Sequence, residues 1–446
     1  MLDLLIKNAN IVTPEGICKG SVAVKGEKIA ALMDDTFSPE ARLTIDANGN
    51  YLLPGVIDAH VHFRDPGLTE YEDFKTGSTA AAFGGVTTVL DMPSSQPIVS
   101  TAEILLEKKR ILEQKSLVDF GLRAAVTPDN LDRLEDLVSA GAIAFKVFMG
   151  QSVRSPWLHD GYLIEAFNRL GRIKLGVGVH AENHWIIEHL RNKLQASGKN
   201  YPLAHLESRP SVCEAEAIQR ALLYARLTGI EKLYIHHVSA KEGVEAIRKG
   251  KQQGLGVFAE TCPQYLILSR QDYDRLGSVI KINPPIRGDE DREALYEGIL
   301  DGTIDMIATD HSPLSPEEKL RENVWEATAG FCGVETLLPL MLNEAHNRRL
   351  SLEHLARVTS ENPARAYSLY PKKGCIKVGS DADLVLVDLK KDSEIRAEEL
   401  HSKTKVTPFN GRKIHGSIVS TIVRGHVVVR HGNVDESPTG RMLSPG

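Results

Sequence analysis

Five short segments between residues 58 and 313 carry side chains able to hold a metal ion or move a proton. They are Asp58-Ala59-His60-Val61-His62, Phe145-Lys146-Val147-Phe148-Met149, Val179-His180-Ala181-Glu182-Asn183, Ile235-His236-His237-Val238-Ser239 and Ala308-Thr309-Asp310-His311-Ser312-Pro313. In the first, strand alternation puts His60 and His62 on one side, about 7 Å apart along the strand. Two imidazoles so placed can converge on one ion, although an isolated pair is more often two hydrogen-bonded core histidines. Lys146 stands among large apolar residues, where a bare ammonium is costly to bury. It is either a snorkelling or ion-paired lysine, or one carbamylated by carbon dioxide. Carbamylation turns the cation into an anionic oxygen ligand able to bridge two metals. Of His236 and His237, alternation lets only one point inward. Histidines, a lysine and an aspartate recurring at five segment ends favour a shared metal centre over five coincidences. Imidazole and carboxylate ligands suit Zn²⁺, with Mn²⁺, Co²⁺ and Fe²⁺ as alternatives.

The elements that position these residues alternate along the chain. Apolar, β-rich runs occur at 56–63, 85–93, 118–126, 143–149, 175–183, 233–239, 257–266 and 305–312. Stretches with helical spacing lie between them, among them Ala102 to Gln114, Glu214 to Leu227 and Glu290 to Leu300. Eight strands separated by helices is the number a closed β/α barrel requires, and such barrels carry their chemistry at the C-terminal strand ends. An open doubly wound sheet would place a glycine-rich phosphate loop after its first strand. Here His60-Val61-His62 stands there instead. Both ends of the chain read as short strands: Leu2 to Val12, a hairpin over Ser21 to Leu32 turning at Gly26-Glu27, then Ala382 to Leu389 and Ser420 to Arg430 with a turn at Gly425. The pattern predicts an α/β architecture, a closed (β/α)8 barrel over 54–371 with one small composite β unit from 1–53 and 372–446.

Composition narrows the class. The chain has 446 residues, 42% hydrophobic and 25% charged, with a net charge of -6, which is ordinary for a globular protein. No dense basic stripe argues for nucleic acid, and no apolar run is long enough to span a bilayer. The five cysteines, Cys18, Cys213, Cys262, Cys332 and Cys375, are scattered and form no CxxC pair. They suggest neither a disulfide framework nor a thiolate zinc site, and a reduced cytoplasmic setting fits them best. The N-terminus does not read as a signal peptide.

These motifs resemble the amidohydrolase superfamily, specifically its cyclic-amide branch of dihydroorotases, allantoinases, hydantoinases and dihydropyrimidinases. The resemblance covers nearly the whole chain, from Pro54-Gly55-Val56-Ile57-Asp58-Ala59-His60-Val61-His62 to Gly379-Ser380-Asp381-Ala382-Asp383-Leu384 and Val423-Arg424-Gly425. It implies that His60 and His62 bind the more buried of two divalent ions and that Lys146, as its carbamate, bridges the pair. His180 and His237 would hold the second ion, His237 being chosen because the family ligand directly precedes Val-Ser. Asp310 would bind the first ion and act as general acid and base. Two such cations lower the pKa of a shared water, Asp310 accepts its proton, and the ring of a cyclic amide opens. The resemblance also implies that the fold is a distorted TIM (β/α)8 barrel with a small β-sandwich domain formed from both termini, and that the protein is a homo-oligomer, dimer or tetramer. Relatives that act as non-catalytic scaffolds lack one or more of these ligands, and this chain has all six.

The substrate motifs divide. His60-Val61-His62-Phe63-Arg64-Asp65-Pro66-Gly67 and Asn283-Pro284-Pro285-Ile286-Arg287 are similar to dihydroorotases of pyrimidine biosynthesis. There Arg64 would fork onto the substrate carboxylate, with Ser94, Asn283 and Arg287 also contacting substrate. Arg64 could instead pair with Asp65 or Glu70, and Asn283 could only fix a turn. Two departures oppose that reading: Met92-Pro93-Ser94 for Met-Pro-Asn, and Asp310-His311-Ser312-Pro313-Leu314 for Asp-His-Ala-Pro-His. The second segment, with Val324-Trp325-Glu326-Ala327, looks more like allantoinases and hydantoinases. Trp325 is expected to pack on the rim. Gln151 stands where a D-hydantoinase or dihydropyrimidinase has tyrosine. Dihydroorotase, interconverting N-carbamoyl-L-aspartate and dihydroorotate, is the first expectation, with an allantoinase or L-type hydantoinase as the alternative.

Overall fold

All eight β-rich runs become strands of one parallel sheet: Val56–Val61, Val86–Asp91, Asp119–Ala125, Ala144–Phe148, Val177–His180, Leu233–Ile235, Val257–Thr261 and Met306–Ile307. They are seen in a computed structural model that describes residues 1–150 and 156–445. The Gln151 position lies outside the described residues. The strands neighbour one another in chain order. A parallel bridge between Val61 and His311, with His62 N–H donating to His311 C=O at 2.8 Å, returns the last strand to the first and closes the barrel. The barrel is distorted around its eighth strand, which pairs with the seventh over two residues and meets the first through that single bridge.

Most barrel-strand residues are buried on both faces, which is why they read as continuous Val, Thr, Leu and Ile runs rather than strict alternation. The three helices expected from periodicity occur as Ala102–Leu112, Ser211–Thr228 and Asp289–Leu300. Thr101 caps the first by accepting from Ile104 N–H, a contact of about 1 kcal/mol. Asn183 does the same for the helix His184–Ala196, accepting from Ile186 N–H. That cap ends the loop after His180 within three residues and holds Glu182 at the cavity wall.

Both termini build a separate nine-stranded mixed sheet. Leu2–Thr13 pairs antiparallel with Gly16–Lys25 and parallel with Tyr51–Pro54, which in turn pairs antiparallel with Leu384–Ile395. Leu4, Ile6, Val22, Leu52, Leu384 and Ile422 form its own core. A buried ionic joint ties it to the barrel: Lys373 bonds Asp119 of the third barrel strand and Asp383 of the terminal unit. No helix among the described residues is long and apolar enough to cross a membrane.

Candidate active site

The C-terminal strand ends enclose a cavity of about 580 Å³. His60, His62, Lys146, His180, His237 and Asp310 all line it, although they come from five strands. Asp310 Oδ1 lies 3.2 Å from both His60 Nε2 and His62 Nε2. His180 Nδ1 lies 3.0 Å from His237 Nε2. One ligand atom from each of His60, His237 and Asp310 falls within 4.8 Å of the others. Lys146 Nζ is buried with no hydrogen-bond partner among the described residues.

Local backbone aims these groups. His237 (φ 41°), Asp310 (φ 52°) and Arg64 (φ 61°) all adopt the left-handed conformation just past a strand end, which side chains other than glycine rarely take. The turn at His237 breaks strict alternation. His237 faces the cavity, whereas His236 sinks beneath it and does not line it. Asp310 is held through its neighbours. Thr309 N–H and Oγ1–H donate to the buried Asp58 carboxylate at 3.0 and 2.6 Å. His311 Nδ1 accepts from the N–H groups of Gly333 and Val334.

The charges are those of a dry site. Burial pushes Lys146 down to about 7, and it pushes the imidazoles of His60 and His237 well below the usual histidine range. Burial pushes Glu260 up to about 8, against the pull of Arg123 and Lys146. Glu182 is opposite: burial would raise it, but Arg209 and hydrogen-bonded His180 hold it well below the usual carboxylate range.

The substrate residues separate. Arg64, Ser94 and Asn283 line the cavity; Arg287 does not. Arg287 corrects the sequence reading: its Nε donates to Ser239 Oγ and its Nη1 to Arg209 C=O, both at 2.9 Å, behind the cavity wall. Ser94 Oγ sits 2.9 Å from His62 Nδ1, so it orients an imidazole. Arg64 Nη2 donates to Ser312 Oγ at 2.6 Å; Asp65 pairs instead with Lys115. Asn283 Oδ1 is buried without a hydrogen-bond partner among the described residues. Trp325 lines the cavity and also donates from Nε1 to Lys199 C=O at 2.7 Å, so it is more than rim packing.

Sequence reasoning missed the groups behind the imidazoles. Glu260, next to last in the seventh strand, contacts His60 Nδ1 and lies 2.9 Å from His236 Nδ1. Arg123, wholly buried, donates from Nη1 to His236 Nε2 at 3.3 Å. Glu182 Oε2 lies 2.8 Å from His180 Nε2 and also meets Arg209. Glu182 had a usable signal, since it stands two residues after His180 and so shares its side of the chain. Arg209 and Arg123 had none.

A group of divalent ions fits these residues. Imidazole nitrogens and a carboxylate oxygen converge across short gaps, and Lys146 Nζ, without a hydrogen-bond partner among the described residues, lies in the same cavity. The fold and this donor set define a metal-dependent hydrolase of the parallel-barrel type. The chain belongs to the amidohydrolase family, in its cyclic-amide branch, and matches that family over residues 51–428. It is 40% identical over 440 residues to an L-hydantoinase of Paenarthrobacter aurescens, covering 97% of this chain and 96% of that one. It is 40% identical over 448 residues to an allantoinase of Deinococcus radiodurans, covering 100% and 99%. The solved structure of the L-hydantoinase (dihydropyrimidinase) from Arthrobacter aurescens superposes with a TM-score of 0.97 at 39% identity, each chain covered in full. These relatives are enzymes of the alternative expectation, not dihydroorotases.

Proposed function

We propose that this protein opens a five-membered cyclic ureide by metal-dependent hydrolysis, with allantoin as its first substrate. One observation carries the choice of ring. The cavity gathers all six ligand-type side chains but only part of a carboxylate clamp: Arg64 lines it with Nη2 bonded to Ser312 Oγ, whereas Arg287 is turned away, Ser94 contacts His62, and apolar Leu314 lines the wall. Dihydroorotate needs such a clamp, because a buried anion left unpaired is costly. Neither allantoin nor a hydantoin carries a carboxylate. Arg191, Gln195, Glu188 and Glu326 along the cavity suit a polar ureido tail. The apolar Phe148, Ile187 and Trp325 support a second reading, a 5-substituted L-hydantoin.

His60, His62 and Asp310 would hold one ion, His180 and His237 the other, with Lys146 as its carbamate between them; Zn²⁺ is the first candidate and Mn²⁺, Co²⁺ or Fe²⁺ the alternatives. When bound, such ions acidify water and polarise a carbonyl. Asp310, reaching into the cavity beside both imidazoles, accepts the proton of the attacking water and returns it to the ring nitrogen as the C–N bond breaks. Asn283 Oδ1 accepts a ring N–H and so orients the amide. The product is a ureido acid. A dimer or tetramer in the cytoplasm belongs to the same reading, and all five cysteines being free accords with that compartment.

The test is an activity screen of purified protein with added zinc or manganese on allantoin, 5-substituted L-hydantoins, dihydrouracil and dihydroorotate. Turnover of allantoin or an L-hydantoin is expected. Turnover of dihydroorotate alone would overturn the choice of ring.

A further inference from the structure

Glu182 sits at the cavity wall, almost wholly buried, where a carboxylate needs compensation. It has two partners through Oε2: His180 Nε2 at 2.8 Å and Arg209 Nη1. An ionised carboxylate only accepts hydrogen bonds, so the imidazole nitrogen facing it carries the proton. That leaves the His180 lone pair on Nδ1, and Nδ1 is the atom 3.0 Å from His237 Nε2. We propose that Glu182, clamped by Arg209, is a positioning residue that fixes the tautomer of His180 and so forms the second of the two cation sites.

The geometry extends behind Arg209. Arg287 Nη1 donates to the Arg209 carbonyl, and Arg287 Nε donates to Ser239 Oγ, itself bonded to the buried Glu214. Arg287 therefore acts on the cavity through Arg209 and not through the substrate. The first site has its own carboxylate, Glu260 against His60 Nδ1. It is the internal control.

This inference rests on the two-cation reading, and the experiment separates them. Metal-free wild type and Glu182→Gln are titrated with Co²⁺, following visible absorption, and bound metal is counted after dialysis. Wild type is expected to take two equivalents. Glu182→Gln is expected to keep one unchanged and to bind the other about 10- to 100-fold more weakly, the usual effect of losing a carboxylate behind a ligating histidine. Two unchanged equivalents, or equal weakening of both, overturn the role of Glu182. A wild type that binds no Co²⁺ overturns the metal-dependent reading itself. Circular dichroism checks folding. If Glu182→Gln does not fold, Arg209→Gln carries the test with the same expected selectivity, and an unaltered second equivalent there overturns the proposal.

Discussion

Asp310 concentrates the most chemistry in one side chain. It touches both His60 and His62, it is held in a left-handed turn, and its carboxylate reaches the cavity. Asp310→Asn keeps the shape and removes the proton acceptor. Its kcat is expected to fall by about 100- to 10,000-fold with the melting temperature nearly unchanged; near-normal turnover would remove Asp310 from its assigned role. Lys146 is tested through occupancy. Its Nζ has no hydrogen-bond partner among the described residues and lies over the Phe148 ring, 4.9 Å from the centroid, so Lys146→Ala is expected to leave the fold intact and to lower bound metal. Short carboxylic acids, which can occupy the place of a carbamate, are expected to restore part of it. Unchanged metal content and no rescue would count against a carbamylated lysine.

Among the loops around the barrel, the one over Val324 to Gly330 shows what holds the cavity open on one side. Lys281 Nζ donates to Val324 C=O and Ala327 C=O at 2.6 and 2.5 Å, and Lys319 Nζ meets Lys281 C=O and Thr328 C=O. Both lysines are buried, and burial pushes Lys281 down to about 8. Their side-chain amines act as backbone staples. Lys281→Met leaves two carbonyls without that donor, at about 1–3 kcal/mol for each buried group left unmade. The expected outcome is a lower melting temperature and a raised KM with a smaller change in kcat, because the loop carries Trp325 and not the ligands. A KM equal to wild type would show that the loop does not depend on this staple.

Two features govern the molecule as a whole. The first is the joint between barrel and terminal sheet, where Lys373 meets Asp119, Asp381 and Asp383, and Arg424 also meets Asp119. Three carboxylates this close read as a metal cluster by geometry alone, yet Lys373 already fills the space between them. Lys373→Met strands buried anions and is expected to cost about 3–5 kcal/mol, measured by denaturant unfolding. The loss is expected to shrink as pH falls and the stranded carboxylates protonate; a loss independent of pH would refute the electrostatic explanation. The second feature is metal itself. Ions that bind only the folded chain stabilise it by mass action, so a chelator is expected to lower the melting temperature and zinc to restore it. A melting temperature indifferent to both would argue against the proposed centre.

Local pattern was enough for the eight strands, three of the helices and the segments that meet at the cavity, while the family resemblance was needed to choose His237 over His236. Period-two placement and β-branched runs are properties of neighbouring residues, and a parallel barrel puts every C-terminal strand end on one rim. Barrel closure decided the rest. Whether an arginine faces a substrate or a carbonyl depends on which side of the wall its loop emerges; for Arg287 that is the outer side. Ser94 and Glu260 act on imidazoles more than thirty positions away in the chain. Contacts of that kind exist only after distant strands pair, so no local spacing records them. The proposed choice of ring rests on the Arg287 and Ser94 contacts together with the likeness to an allantoinase and an L-hydantoinase, which favour a five-membered cyclic ureide over dihydroorotate.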